Sequence, residues 1–171
     1  MSVFLIGFSS ATVAAAQVSV TTYHNDNART GQNTAETALT PGNVNATQFG
    51  KLFAGGVNLD SWSAAQPLYV PNVSIAGVTH NVIYVATLNN SIYAFDADNG
   101  ALLWTNNYGP ATPFANLCTD NGFNNAPSAG AGIVATPVID PVAGTIYFVT
   151  KTGDGIASPF ALYLHAASIS T

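Results

Sequence analysis

The chain has 171 residues, enough for one domain of ordinary size. Hydrophobic residues make up 48% of the sequence and charged residues only 6%, against about 25% charged residues in a typical soluble domain. This balance excludes an intrinsically disordered chain, and three Lys and Arg residues against eight acidic ones argue against a nucleic-acid-binding protein.

Residues 1–16 have the pattern of a secretory signal. The apolar run Val3–Phe8 is followed by small residues that end at Ala14–Ala16, as an h-region precedes its cleavage site. No Lys or Arg precedes the run, so we expect that the n-region is truncated and that the true start lies upstream of Met1. The run is shorter than a transmembrane helix, which needs about 20 apolar residues, so we expect no membrane span. The pattern predicts a secreted protein, periplasmic or extracellular; the alternative is a buried first strand.

Residues 17–64 are predicted to form an N-terminal arm and a first strand. From Val18 to Thr47 the sequence is polar and rich in turn residues, without a sustained helical period. The short run Lys51–Ala54, which ends at Gly55-Gly56, is the predicted strand. We therefore expect an extended arm with loops.

Residues 65–107 contain four short strands separated by turns. The predicted strands are Leu68–Val70, Val82–Thr87, Ser91–Asp96 and Ala101–Trp104. Asn89-Asn90 and Asp98-Asn99-Gly100 mark two of the turns, because Asn and Gly tolerate positive φ. The pattern predicts an antiparallel meander of four strands.

The meander starts again in residues 133–171. The matching segments are Ala135–Ile139 for Ala65–Tyr69, Thr145–Thr150 for Val82–Thr87, and Leu164–Ala166 for Ile92–Ala94. Strands that recur in sets of four are typical of β-propeller blades. Residues 108–132, rich in Gly, Asn, Pro and Ala, are predicted to form a long polar loop between the copies. The predicted fold class is all-β, with antiparallel four-stranded blades of a partial β-propeller and an extended N-terminal arm.

Three segments of the first copy follow one another in an order that is known from other proteins. The segments are Ile83–Ala86, Ser91–Gly100 and Leu102–Trp104. They read as a strand, a short polar turn, a strand that ends in Asp, an Asx-Gly turn and a strand that ends in Trp. This order resembles the repeat of pyrroloquinoline-quinone-type β-propellers, in which the Trp packs between neighbouring blades. The resemblance implies such a docking role for Trp104.

The second copy departs from this pattern. Ala167 and Ser168 stand where the first copy has Phe95 and Asp96, and the sequence stops at Thr171, before a fourth strand. A blade buries its faces only against neighbouring blades, and complete propellers have about four to eight. We therefore expect as partners either missing blades, which would make the chain a fragment, or a partner chain that completes the sheet at the edge strand Leu162–Ala166.

Two short polar motifs allow either a site or an ordinary loop. Asp96–Gly100 begins like a calcium loop, but its spacing is one residue short and no Glu follows, and a turn between strands accounts for the same residues. His24, Asp26 and Arg29 lie within six residues and form either a polar site or a loop with a surface ion pair.

The sequence contains no recognisable catalytic set. Cys118 is the only cysteine, so it is a free thiol or pairs outside this chain. A catalytic Cys needs a nearby His base, and the histidines are scattered at His24, His80 and His165. Three sequons, which matter only in a eukaryotic secretory pathway, begin at Asn45, Asn72 and Asn89. No catalytic, cofactor-binding or metal-binding residue is predicted.

The leading prediction is a secreted β-propeller repeat protein that acts as a non-enzymatic binding or structural module in an extracellular assembly, with no cofactor. The alternative, which the family resemblance implies, is a fragment of a quinone-dependent alcohol or sugar dehydrogenase that binds pyrroloquinoline quinone (PQQ) with calcium. That enzyme needs acidic and Trp residues that converge on the ring axis, whereas the eight acidic residues here are dispersed.

Overall fold

The computed structural model describes residues 18–37, 39–47, 50, 58–117 and 130–171. In these ranges the fold is all-β, with seven strands in two antiparallel sheets. The strands are β1 (Leu68–Ile75), β2 (Val78–Ala86), β3 (Ser91–Asp96), β4 (Leu102–Asn107), β5 (Val138–Asp140), β6 (Thr145–Thr152) and β7 (Ala161–Ser168). A short 3-10 turn at Phe114–Asn116 is the only helical segment in the described ranges.

Strands β1 to β4 form the first sheet, a meander in which each strand pairs with the next. β2 and β3 pair from Val82 opposite Asp96 to Ala86 opposite Ile92. In the turn between them Asn90 has a φ of 60°, a conformation that Asn adopts more readily than most residues. The predicted four-stranded antiparallel meander is therefore confirmed.

The first hairpin is longer than predicted. The predicted first strand is Leu68–Val70, and the residues that follow it, Pro71-Asn72, are of types common in turns. In the structure the register instead shifts between Val70 and Val73, and Asn72 has a φ of 58°. A β-bulge thus absorbs the turn-like residues within a strand that lies at the sheet edge, where Pro costs no ladder bond.

Strands β5 to β7 form the second sheet, which follows the same order as the first three strands of the first sheet. In the first sheet Tyr84 lies between Leu68 of β1 and Ala94 of β3. In the second sheet Tyr147 lies between Val138 of β5 and Ala166 of β7. The alignment of the two copies from sequence is therefore confirmed by both strand pairings. β7 is longer than the predicted Leu164–Ala166 and extends from Ala161 to Ser168.

Ser168 performs the turn-forming role of Asp96, although the two residue types differ. Asp96 Oδ1 accepts the Asp98 N–H at 2.9 Å, and Ser168 Oγ accepts the Ser170 N–H at 3.0 Å. A hydroxyl can replace a carboxylate in this local hydrogen bond, because both side chains reach the N–H two residues on. The substitution that departs from the family pattern therefore leaves this turn intact.

The two sheets pack against each other in one hydrophobic core. Its fully buried members include Leu68, Val82 and Ile92 of the first sheet and Ile146 of the second. Two side chains of the first sheet also cross to the second: the Tyr84 hydroxyl donates to the Ile169 carbonyl at 2.9 Å, and Trp104 Nε1 donates to the same oxygen at 3.2 Å. Trp104 thus lies between the sheets.

The N-terminal arm ties the first strands of both sheets together. Val20 pairs with Tyr69 beside β1, and the Thr21 carbonyl accepts the Ile139 N–H of β5 at 2.8 Å. The predicted signal, the predicted strand Lys51–Ala54 and Cys118 lie outside the described residues. In the loop predicted over 108–132, Pro113 bridges to Gly130.

Candidate binding surface

β7 is the outer strand of the second sheet and forms its open edge. In the first sheet β3 has β4 beside it, whereas no described strand pairs with the far side of β7. Leu162, Tyr163 and Leu164 on this strand are all exposed. An exposed apolar edge strand is a template for pairing with another chain, because its backbone N–H and C=O groups lack ladder partners on that side.

One face of the second sheet is open as well, and it contains Val138, Tyr147, Val149 and Leu164. We call it the open face. The equivalent residues of the first sheet are buried against the second: Tyr84 is 2% exposed and Ile92 0%, whereas Tyr147 is 40% and Leu164 75% exposed. The same positions are therefore core in one copy and surface in the other.

A shallow cleft of about 580 Å³ borders the start of β7. Its lining includes Pro110, Gly153, Pro159 and Tyr163. Beside it, Lys151 Nζ lies 5.0 Å from the centre of the Phe160 ring, a cation–π contact. Its lining combines apolar groups with the hydroxyls of Thr152, Ser158 and Tyr163.

A polar network centred on Asp60 was not predicted from sequence. Its carboxylate accepts hydrogen bonds from the side chains of Thr87, Asn89 and Ser91 at 2.8, 2.9 and 2.6 Å. Burial raises the pKa of Asp60, but these hydrogen bonds outweigh burial and hold the pKa below its ordinary value. The network anchors the segment before β1 to the β2–β3 turn. In the sequence, the network is indicated only by the several Asn, Ser and Thr residues in and beside that turn.

Replacing Asp60 with Ala is expected to release this segment from the β2–β3 turn. The loss is about 1 kcal/mol of unfolding free energy, since the carboxylate is partly solvated. The Leu88 amide, which donates to the Trp62 carbonyl at 2.8 Å, should then exchange its hydrogen faster. Hydrogen exchange measured by NMR tests this, with Asp98→Ala as the matched control, and unchanged exchange at Leu88 would contradict the anchoring role.

His80 and Asp96 form a hydrogen-bonded pair at one end of the first sheet. His80 Nδ1 lies 2.7 Å from Asp96 Oδ2, and the Asp96 side chain is nearly buried. The hydrogen bond with His80 lowers the pKa of Asp96, the Asp98 backbone N–H adds to this, and burial opposes both. The motif Asp96–Gly100 thus forms the predicted turn between β3 and β4, and His80 hydrogen-bonds to its first residue.

The lowered pKa of Asp96 predicts a pH dependence of stability. In the unfolded chain the pKa of this carboxyl is about 3.9, and in the folded protein its pKa is lower. Its contribution to stability is therefore complete above the unfolded pKa and disappears as the pH falls through the folded pKa. Denaturant unfolding of wild type and Asp96→Asn between neutral and acid pH measures the effect. The stability difference between them should shrink in acid; a constant difference would show that Asp96 is not linked to folding.

The segment from His24 to Arg29 is a hydrogen-bonded loop. His24 Nδ1 lies 3.3 Å from the Arg29 carbonyl, the Arg29 guanidinium donates to the Tyr23 carbonyl, and Asp26 accepts the Thr30 hydroxyl. All three residues thus belong to one loop, as one interpretation of the sequence predicts, but Asp26 and Arg29 do not form the surface ion pair that this interpretation includes. His80 and His165 lie in separate places, since His165 Nε2 is 2.8 Å from Thr150 Oγ1 in the second sheet.

Within the described residues, no group of three or more His, Cys, Asp or Glu side chains is placed to hold a metal ion. In the same ranges no helix has the length and apolar character to cross a bilayer. Of the sequon residues, Asn72 lies at the β1 bulge and Asn89 in the β2–β3 turn. Comparisons with protein-family models, with curated proteins and with solved structures give no match to this chain.

Proposed function

We propose that the chain is a secreted β-propeller repeat module of the PQQ type that acts by binding another polypeptide and not by catalysis. The single observation that carries this proposal is the open edge of β7, at the position where the first sheet has β4. The in-register repeat of the strands and the position of Trp104 between the sheets support the propeller-type arrangement.

The partner at this edge is an extended segment that adds a fourth strand to the second sheet, supplied either by missing blades of a longer chain or by a partner chain. Backbone hydrogen bonds supply affinity in such strand addition, and side-chain patterning supplies specificity. The first sheet contains the template for the pattern, because β4 pairs antiparallel with β3 and places Trp104 opposite Ala94. Ala166 holds the equivalent position on β7. A segment that pairs with β7 in this way would make the second sheet a complete four-stranded unit.

A synthetic peptide with the sequence of residues 101–107 tests strand addition directly. Titrated into the protein labelled with ¹⁵N, it should shift the amide resonances of β7 in a saturable manner. The same peptide with Pro in place of the two residues that flank its Trp is the control, because Pro removes a ladder donor. Equal shifts with both peptides, or no shifts with either, would overturn the proposed edge.

The non-enzymatic part of the proposal has its own test. The protein is incubated with PQQ and calcium and then passed through a desalting column. We expect no cofactor absorbance to stay with the protein. Retained absorbance at one cofactor per chain would overturn the non-enzymatic assignment and favour the alternative, a fragment of a quinone-dependent alcohol or sugar dehydrogenase.

A further inference from the structure

The two sheets pack through unlike faces. In β2 the buried residues of the contact are Val82, Tyr84 and Ala86, whereas in β6 they are Ile146, Phe148 and Thr150. Tyr84 is equivalent to Tyr147, so the buried set in the second sheet is offset by one residue from the set in the first. Because alternate residues of a strand point to opposite faces, the second sheet uses the face that the first sheet does not.

Within the described residues, each sheet therefore has one face that the other sheet does not cover. These two faces are equivalent to the two that pack together inside the chain. The open face of the second sheet is equivalent to the buried face around Tyr84. The other face of the first sheet, which we call the outer face, contains Ile83 and Val85, the equivalents of the buried Ile146 and Phe148. The chain thus contains a second copy of the open-face half of its internal contact and, around Ile83, part of a second copy of the other half.

The outer face is accessible at one end only. Asp60 and its hydrogen bonds occupy the end near Thr87 and Ser91. Ile83 and Phe95, at the other end, are half-buried apolar side chains. The end with Ile83 is equivalent to the end of β6 with Ile146. Ile146 is fully buried in the contact between the two sheets. The contact that repeats is therefore the one around Ile83.

We propose that the open face of the second sheet binds the outer face of the first sheet in a second copy of this chain, by the same packing that joins the two sheets within one copy. The proposal rests on the strand repeat that also supports the proposed function, but it uses the sheet face and not the β7 edge. Such a contact buries Tyr147 and Leu164, which are exposed in the single chain.

The internal contact also specifies a hydrogen bond for the interface. Tyr84 donates to the carbonyl of Ile169, the residue that follows Ser168. In the first sheet Asp96 is equivalent to Ser168, so Ala97 is equivalent to Ile169. Both residues make the same backbone hydrogen bond: the Ile169 N–H donates to the Gly144 carbonyl, and the Ala97 N–H donates to the Asn81 carbonyl. The Tyr147 hydroxyl therefore donates to the Ala97 carbonyl of the second copy.

This contact is heterologous, because it joins different faces of two identical chains. Heterologous contacts form a ring where the rotation closes and an open fibre where it does not. Assembly therefore continues beyond a dimer as the protein concentration rises. A two-fold contact of the open face with itself would instead stop at the dimer.

A mixing experiment with two face variants tests the proposal. Tyr147→Lys places a charge on the open face, and Ile83→Lys places one on the outer face. Each variant alone should be monomeric in sedimentation velocity at concentrations where the wild type associates. An equimolar mixture should form a 1:1 dimer that grows no further, since only one intact pair of faces remains. Tyr147→Phe should weaken association several-fold, as expected for loss of one hydrogen bond.

The control variants show whether association depends on these two faces. Val142→Lys changes an almost fully exposed residue of the β5–β6 turn and should associate like the wild type. Circular dichroism establishes that each variant is folded, and Phe95→Lys replaces Ile83→Lys if that variant unfolds. A monomeric wild type, a mixture that stays monomeric, or association that survives Tyr147→Lys would overturn the proposal. Binding of the residue 101–107 peptide to β7 is scored separately, so either proposal can fail alone.

Discussion

Replacing Tyr84 with Ala is expected to lower the free energy of unfolding by about 3–5 kcal/mol, the range for truncation of a large buried aromatic side chain. Tyr84 is almost fully buried in the core and its hydroxyl joins the two sheets through Ile169. Loss of the ring leaves a cavity where the sheets meet. Chemical denaturation followed by fluorescence measures the change.

Tyr147→Ala is the matched control, because Tyr147 holds the same position in the second copy but is exposed. In the monomeric protein its substitution should cost no more than about 1 kcal/mol. Tyr84→Phe, which keeps the ring, should cost about 1 kcal/mol for the hydrogen bond alone. Equal losses for the two alanine variants would contradict the packing of the sheets through unlike faces.

Gly132→Ala is expected to destabilise the fold by about 3 kcal/mol, at the upper end of the usual cost of overpacking. A Cβ atom at Gly132 would lie 2.5 Å from Asn90 Oδ1 and 2.6 Å from the Leu88 carbonyl oxygen. Neither neighbour can move freely, since the Gly132 N–H donates to that carbonyl at 2.8 Å and the Asn90 side-chain amide donates to the carbonyls of Gly109 and Lys151. Thermal unfolding measures the loss.

Gly42→Ala is the control for this substitution, because the nearest atom to its Cβ, Thr40 Oγ1, would be 3.7 Å away. Ordinary van der Waals contact at that distance predicts no loss of stability. If Gly132→Ala were equally harmless, the strand ends around Asn90 would not pack as closely as described, and the connection between the β2–β3 turn and the segment before β5 would need to be reconsidered.

Packing through unlike faces explains why one chain has both a hydrophobic core between its sheets and an exposed apolar sheet face. A repeat that stacks in this way always leaves a different face at each end of the stack. The β7 edge and the open face meet at Leu164, so one strand contributes to both proposed surfaces. Their experiments differ because strand addition uses backbone groups, whereas face packing uses side chains.

Much of the fold could be predicted from local sequence. The strands around Tyr84 and Tyr93 are dense in β-branched and aromatic residues, and turns rich in Asn and Gly delimit them, so both their type and their pairing follow from short-range pattern. The extension of β1 past Pro71 could not be predicted in this way. A bulge forms there because the strand lies at an edge, and edge position is a property of the sheet.

The polar networks could not be predicted from the sequence either. Asp60 and Ser91 are 31 residues apart, yet their side chains are 2.6 Å apart in the fold. Nothing in the local sequence of Asp60 distinguishes it from other acidic residues. Only the return of the chain across the β2–β3 turn brings the donors together, and the same holds for Tyr84 and Ile169, which are 85 residues apart.

The 171 residues by themselves determine an all-β chain with two copies of one strand pattern, because strand propensity and turn residues act over a few neighbours. They do not determine which face of each copy becomes core. Tyr84 and Tyr147 have the same strand position and similar neighbours, and only the packing of one sheet on the other buries the first and leaves the second exposed. Burial is a property of the assembled sheets, so tertiary structure alone decides which copy of the repeated face becomes core and which stays exposed.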